Sequence, residues 1–376
     1  MPVTASQGII PIRLDNCPGS DCLFKTAKDN MSNISTISEF LLHANSQYQV
    51  FDMSRGIRTL TAQEFVDIEN GLIPHPSPRL GAAWIAVLFW QATPGQHAVA
   101  HSPAPEYFIW FLKLPLDEQS KLVPGPRDHF LRILLEALAR QAQGESVQDV
   151  PDHPYSFAPP QQQMAGFNSL IRKQLALPRS QYFEQALAYM QAPQDKDWTE
   201  LPLQGINDIA AAMDDPGVRD IVLEKFSQLA AEVRLHLCEA MENHHPDVAF
   251  TDLILEWANS STEDQVQIAS LRALSRSKEN RRVSDFIRQL LSQPALATDI
   301  LITISGRHWH RLTEHELFNR YMDTVATQAP ELFSAIFADL VRIPTLRQQM
   351  LGMLRSPHKS QTLLRAIGTL FSEQGR

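Results

Sequence analysis

The segments AFTDLILEW, residues 249–257, and RVSDFIRQL, residues 282–290, decide how most of this chain folds. The first puts Phe250, Leu253, Ile254 and Trp257 on one stripe of a helix, at the spacing that a 3.6-residue turn brings to one face. The second repeats that stripe 33 positions later with Val283, Phe286, Ile287 and Leu290. Upstream, GVRDIVLEKF supplies Val218, Ile221 and Val222 in the same places. An aspartate (Asp220, Asp252 or Asp285) accompanies each stripe. The helices that precede them also align: Leu235, Cys238 and Met241 correspond to Ile268, Leu271 and Leu274. A two-helix unit therefore recurs. Three or four apolar side chains on one stripe gain roughly 5–10 kcal/mol on burial, less than the entropy lost in ordering some thirty residues. Such a unit needs neighbours, and stacking provides them.

From residue 164 to 376 the sequence shows only helical segments divided by short polar or proline breaks. This region is expected to be an all-α, α-solenoid-like helical-repeat domain. Its pattern resembles HEAT-type repeats, although its period is shorter, and a non-repetitive helical bundle is the alternative. Before it, QGESVQDVPDHPYSFAPPQQQ has no hydrophobic period and several prolines, so residues 144–163 are expected to be a linker.

Residues 31–143 read as an α+β domain. In MSNISTISEFLLHA, Thr36 and Glu39 form a capping box ahead of a helix, and Thr61 and Glu64 form a second one. Between them, residues 48–53 and 57–60 are strand-like, with Gly56 free to take positive φ in the turn. AAWIAVLFWQ (82–91) and EYFIWFLKL (106–114) are apolar on both alternating faces, the mark of strands covered on both sides. A long helix is expected from about Asp117 to Gln143, with a break at VPGP. The order predicts a small, mostly antiparallel sheet covered by helices.

QYQVFDMSRGIRTL, PHPSPRLGAAWIAVLFW and YFIWFLKLPLDEQSKLV resemble the start of an uncharacterised gammaproteobacterial protein family, known only as a domain of unknown function. The resemblance runs from about Met31 to the C-terminus and is sharpest over residues 35–135. It implies no activity, substrate or catalytic residue. Residues 1–30 depart from the family pattern and have no period of their own. They are expected to be a disordered tail, or an extension ahead of a start at Met31.

The 376 residues carry a net charge of −9 and three cysteines, Cys17, Cys22 and Cys238. The charge argues against nucleic acid as a partner, because phosphate binding needs a basic face. The densest basic run, RSKENRR from Arg276 to Arg282, reads as a solvated helix end. So few cysteines argue against a disulfide-stapled secreted domain. No apolar run reaches the length of a membrane span. The cytoplasm is the expected location.

No phosphate loop, H-E-x-x-H, G-x-S-x-G or zinc spacing occurs. Three clusters remain. Cys17 and Cys22 lack a second pair. ENHHPD sets His244 and His245 at a helix end, where the dipole favours a cation. ISGRHWHRLTEHELF gathers His308, His310 and His315. On a helix His308 and His310 would point apart, and Thr313 with Glu316 reads as a capping box. This stretch is expected to be a helix seam, not a metal site. No catalytic residue, cofactor or metal is assigned. The expected function is a non-catalytic interaction protein with a protein partner. The alternative is an enzyme or small-molecule sensor with a site between the two domains or in the 91–106 loop, for which His97, His101 and His129 are the candidates.

Overall fold

A computed structural model describes residues 34–91, 107–142, 153–357 and 359–373. The chain divides into two compact units, Met1–Pro159 and Pro160–Arg376. Residues 1–33, with Cys17, Cys22 and Met31, lie outside the described residues, as do His97 and His101.

The first unit is α+β. Its elements are α1 (Ile37–His43), β1 (Ser46–Asp52), β2 (Arg58–Leu60), α2 (Ala62–Glu69), β3 (Ala82–Gln91), β4 (Tyr107–Pro115) and α3 (Pro124–Ala142). All pairings are antiparallel, in the order β2-β1-β3-β4. Gly56 has φ 117° in the turn that joins β1 to β2. Val50 pairs with Val87 and Val87 with Trp110, so one sheet face is apolar across three strands. Ile37, Leu41, Phe65, Ile68, Phe130 and Leu134 of the three helices join that core. On the opposite face Phe51, Ala86, Leu88 and Ile109 are buried too, as strands apolar on both sides require.

Both capping boxes, at Thr36 and Thr61, are formed. Glu69 at the end of α2 adds a second cap to α1: its buried carboxylate accepts from the amides of Ile37 (2.7 Å) and Ser38 (3.1 Å). Helix α3 opens at Pro124 rather than near Asp117. Residues 116–122 instead form a turn, in which Asp117 Oδ1 accepts from the amides of Gln119 and Lys121. The two prolines of VPGP fall in the first helical turn, where their missing N–H costs nothing, so they start the helix instead of breaking it. The end of the segment read as a linker is tied to β4: Lys113 N donates to Tyr155 O and Phe157 N to Phe111 O.

The second unit contains helices α4 (Gln161–Gln174), α5 (Phe183–Gln191), α6 (Leu203–Ala211), α7 (Pro216–Lys225), α8 (Ala231–Met241), α9 (Val248–Asn259), α10 (Asp264–Ala273), α11 (Asn280–Leu290), α12 (Thr298–Arg307), α13 (His315–Gln328), α14 (Phe333–Leu340), α15 (Pro344–Arg355) and α16 (Gln361–Glu373). No strand occurs among its described residues. The even-numbered helices α4, α6, α8, α10, α12 and α14 form a row in which each touches the next. The odd-numbered helices pack alongside, α5 on α7 and α7 on α9, then α11 on α13. The repeated stripe faces inward: Phe250, Ile254, Val283, Ile287, Val218 and Val222 are all buried in one continuous core.

Hydrogen bonds between neighbouring helix pairs span a similar number of positions, lengthening toward the C-terminus. Ser275 Oγ donates to Glu242 O and Arg276 to Asn243 O, each across 33 positions. Gln328 reaches Gln293 O across 35 positions, and Ser360 reaches Asp323 across 37. The aspartates on the stripes stay outside the core, and Asp252 pairs with Arg282 of the following unit.

Candidate functional site

Three of the polar clusters among the described residues bear on chemistry. The first lies under the loop GLIPHPSPRLG. Its alternating prolines keep the loop extended, so His75 and Ser77 turn to the same side. His75 N donates to Ser120 O at 2.7 Å. The Ser77 hydroxyl donates to Asp52 Oδ2, while Asp52 Oδ1 accepts from Ser54 N at 2.9 Å. His75 Nδ1 accepts from Ser77 N at 3.4 Å, which puts the ring proton on Nε2, 3.7 Å from Asp52 Oδ1. Burial lowers the His75 pKa; Asp52 opposes the shift, and Arg58 and Arg55 add to it. The residue types are those of a catalytic triad, but the wiring is not. Ser77 gives its proton to Asp52 instead of His75, and both ring nitrogens face protein. The His75 side chain is 0% exposed. The cluster anchors the loop.

The second cluster is the seam RHWHR, residues 307–311. His308 ends α12 and is fully buried. Its Nε2–H donates to Leu271 O of α10 at 2.8 Å, and its Nδ1 accepts from Arg311 Nε at 3.3 Å. Neither nitrogen has a lone pair left for a metal. Burial, followed by Arg311 and His310, drives its pKa well down. The His310 ring centre stands 6.2 Å from that of His308. His315 Nδ1 accepts from Asn319 at 3.1 Å. Trp309 packs on the helical core. The capping box expected at Thr313 and Glu316 does not form. Residues Trp309–Thr313 make a 3₁₀ turn, α13 opens behind Glu314 with no side-chain cap, and the Thr313 hydroxyl donates to His310 O. Arg311 holds this turn from below by donating to Ser277 O at 2.8 Å and Asn280 Oδ1 at 2.7 Å.

The third cluster is a charge ladder across three units. Glu242, at the end of α8, is buried. It accepts from Arg272 Nε of α10 and from Arg307 Nε of α12, both at 2.8 Å. Arg272 also reaches Glu239. Burial alone would raise the Glu242 pKa, but Arg307 and Arg272 outweigh it and hold it at about 2. No local motif marks this ladder. One signal for it was present: Glu239 and Arg272 are opposite charges one repeat period apart, and stacking sets such residues side by side.

The other candidates are scattered. His244 follows the end of α8, but burial, with Lys173 and Arg276 nearby, pushes its pKa down to about 3. It is neutral near pH 7, so the expected cation at the negative end of the helix dipole is absent there. His245 Nδ1 lies 3.2 Å from Arg276 O. His129 Nδ1 sits 2.8 Å from the Tyr155 hydroxyl. In the basic run, Arg276 turns to Asn243 and Arg282 to Asp252. Cys238 is buried, which raises its thiol pKa and keeps it unreactive. Among the described residues, no three His, Cys, Asp or Glu side chains could hold a metal ion together. Two open grooves, of ≈ 470 Å³ beside Leu131 and Leu135 and of ≈ 450 Å³ along α13 at Arg320 and Asp323, touch none of the three clusters. No helix of the described residues is long and apolar enough to cross a membrane.

A family model described as "Protein of unknown function (DUF3549)" matches residues 32–371. No curated protein and no solved structure gives a significant match.

Proposed function

We propose, for a chain that belongs to this family of unknown function, a non-catalytic role: a cytoplasmic interaction protein whose helical unit presents an α-solenoid-like surface to a protein partner. The row of even-numbered helices carries this reading. Hydrogen bonds across 33 positions bind the helix pair ending at Asn243 to the next one. An array in which each unit contacts mainly its neighbours exposes one long face, which suits recognition of an extended partner. The three polar clusters support the same reading, because their hydrogen bonds hold elements together; His75 Nε2 is the exception, buried without a hydrogen-bond partner. Cys238 as a buried thiol fits a reducing compartment.

The test is affinity capture of the tagged full chain from native extract under gentle crosslinking. A partner whose crosslinks map to residues 160–376 is the expected result. Capture with no partner above background, or crosslinks confined to residues 34–142, would contradict it.

A further inference from the structure

The even-numbered helices repeat a surface pattern as well as a buried one. Leu235 on α8, Ile268 on α10 and Ile302 on α12 each follow an acid, Glu232, Asp264 or Asp299, by three or four positions. That spacing puts acid and aliphatic on one helix face. The three acids are exposed, Leu235 and Ile268 are half-buried, and Ile302 is 47% exposed. Hydrogen bonds set these helices side by side. Arg272 reaches Glu239 and Ser275 reaches Glu242 O, both across 33 positions. A constant offset means that α8 and α10 run parallel, so Ile268 lies beside Leu235, which it follows by the same 33 positions. His308, at the end of α12, bonds Leu271 in the last turn of α10. Helix α12 therefore runs the same way, and Ile302 continues the row. One turn further on, a Cβ at Gly306 would meet nothing within 4 Å. Nothing in the chain requires glycine there, and its bare backbone is open to close approach.

The two edges of this aliphatic row differ in charge. Towards the helix C-termini, Glu239 and Glu242 are held by Arg272 and Arg307, and His236 by Glu239. Towards the N-termini, Glu232, Glu263, Asp264 and Asp299 make no ion pair among the described residues. The loops that enter the three helices, residues 226–231, 259–263 and 291–297, contain no lysine or arginine. Arg234 of α8 lies over the Trp257 ring instead. The helix dipole favours an acid at each helix start, but at the odd-numbered helices that acid also has an arginine. Asp215 pairs with Arg179 ahead of α7, Asp247 with Arg219 ahead of α9, and Glu314 with Arg288 ahead of α13. Only the even-numbered starts of this face leave their acids without a cation.

We propose that this face of α8, α10 and α12 receives an extended basic segment of the partner polypeptide. Aliphatic side chains at every third position rest on Leu235, Ile268 and Ile302, and lysine or arginine between them meets the acidic edge. The inference rests on the interaction reading above and adds the chemistry of the partner. Its warrant is charge complementarity: the acids on this edge lack cations, and a basic segment supplies them. Spacing agrees. Packed helices stand about 8–10 Å apart, and three residues of polyproline-II chain advance about 9 Å, so such a segment meets one helix per turn. The net charge of −9 disfavours acidic peptides and nucleic acid on the same ground.

The experiment titrates a fluorescein-labelled peptide of lysine–leucine–proline repeats, long enough to cross three helices, with the purified full chain and follows anisotropy. Binding that weakens with salt is expected. Peptides of glutamate–leucine–proline and lysine–serine–proline repeats should bind far more weakly. Asp264→Lys with Asp299→Lys is expected to weaken binding by about tenfold or more. Glu184→Lys, the same change in the first turn of α5, should leave it unchanged. Ile302→Ser should weaken binding at high salt as well as low. All altered positions are exposed, and thermal melts confirm that each variant folds. Absence of binding, binding indifferent to the double variant, or equal binding of either comparison peptide overturns the proposal. Repeating the extract capture with the double variant separates the two readings: a partner retained equally well keeps the interaction role and removes this face from it.

Discussion

Glu242 shows how much one side chain contributes to this fold. It is buried and has two arginine partners from two later units. Its folded pKa of about 2 lies below the ordinary 4.5, so ionised Glu242 favours the folded state by up to about 3 kcal/mol. The sign is that of a depressed carboxylate: the contribution is complete above pH 4.5 and is lost as pH falls towards about 2. Glu242→Gln removes the charge and leaves two guanidinium groups in the seam. Urea unfolding should show a loss of about 3 kcal/mol or more near neutral pH, and the gap to the parent should narrow as pH falls below 4.5. An equal gap at both pH values would show that the charge is not what matters. His308 gives a second residue-scale prediction. With both ring nitrogens occupied, added zinc should leave its ring resonances unmoved; line broadening at His308 and His310 together would restore the metal reading.

At the scale of elements, the sequence was most legible where the deciding contacts are local. The boxes at Thr36 and Thr61 span three residues, and both form. The same signature at Thr313 does not form, because long-range bonds decide there. His308 reaches Leu271 and Arg311 reaches Ser277, 37 and 34 positions away, and these bonds wind residues 309–313 into a 3₁₀ turn. Thr61→Ala should therefore cost about 1 kcal/mol in thermal unfolding, whereas Thr313→Ala should cost much less. A Thr313 cost equal to that of Thr61 would mean that a cap forms after all. Gly205 tests the contact of α5 with α6. A Cβ there would lie 2.8 Å from Tyr182 O and 3.0 Å from Ala186 Cβ. Alanine is the better helix former by about 1 kcal/mol, but a backbone clash outweighs that gain, and Gly205→Ala should destabilise by about 1–3 kcal/mol. Unchanged or raised stability would place α6 farther from Tyr182. The Asp52, His75 and Ser77 anchor was not legible at this scale. It joins a strand end to a proline-rich loop 25 positions on, and neither segment signals the other.

Across the whole molecule, the repeated stripe of Phe250 and Val283 made the helical unit readable, because the same apolar spacing recurs along the chain and its residues are buried in one core. The α+β unit offers no such period, yet its sheet was readable from strands apolar on both faces. The central claim is that residues 160–376 form a chain of neighbouring units rather than one bundle. Native-state hydrogen exchange on Ile209→Ala measures this most directly. Ile209 is fully buried in α6, and its truncation should cost about 2–5 kcal/mol locally. If units are coupled mainly to their neighbours, amide protection falls in α4 to α8 and persists in α12 to α16. An equal fall in protection from α4 through α16 would contradict the account.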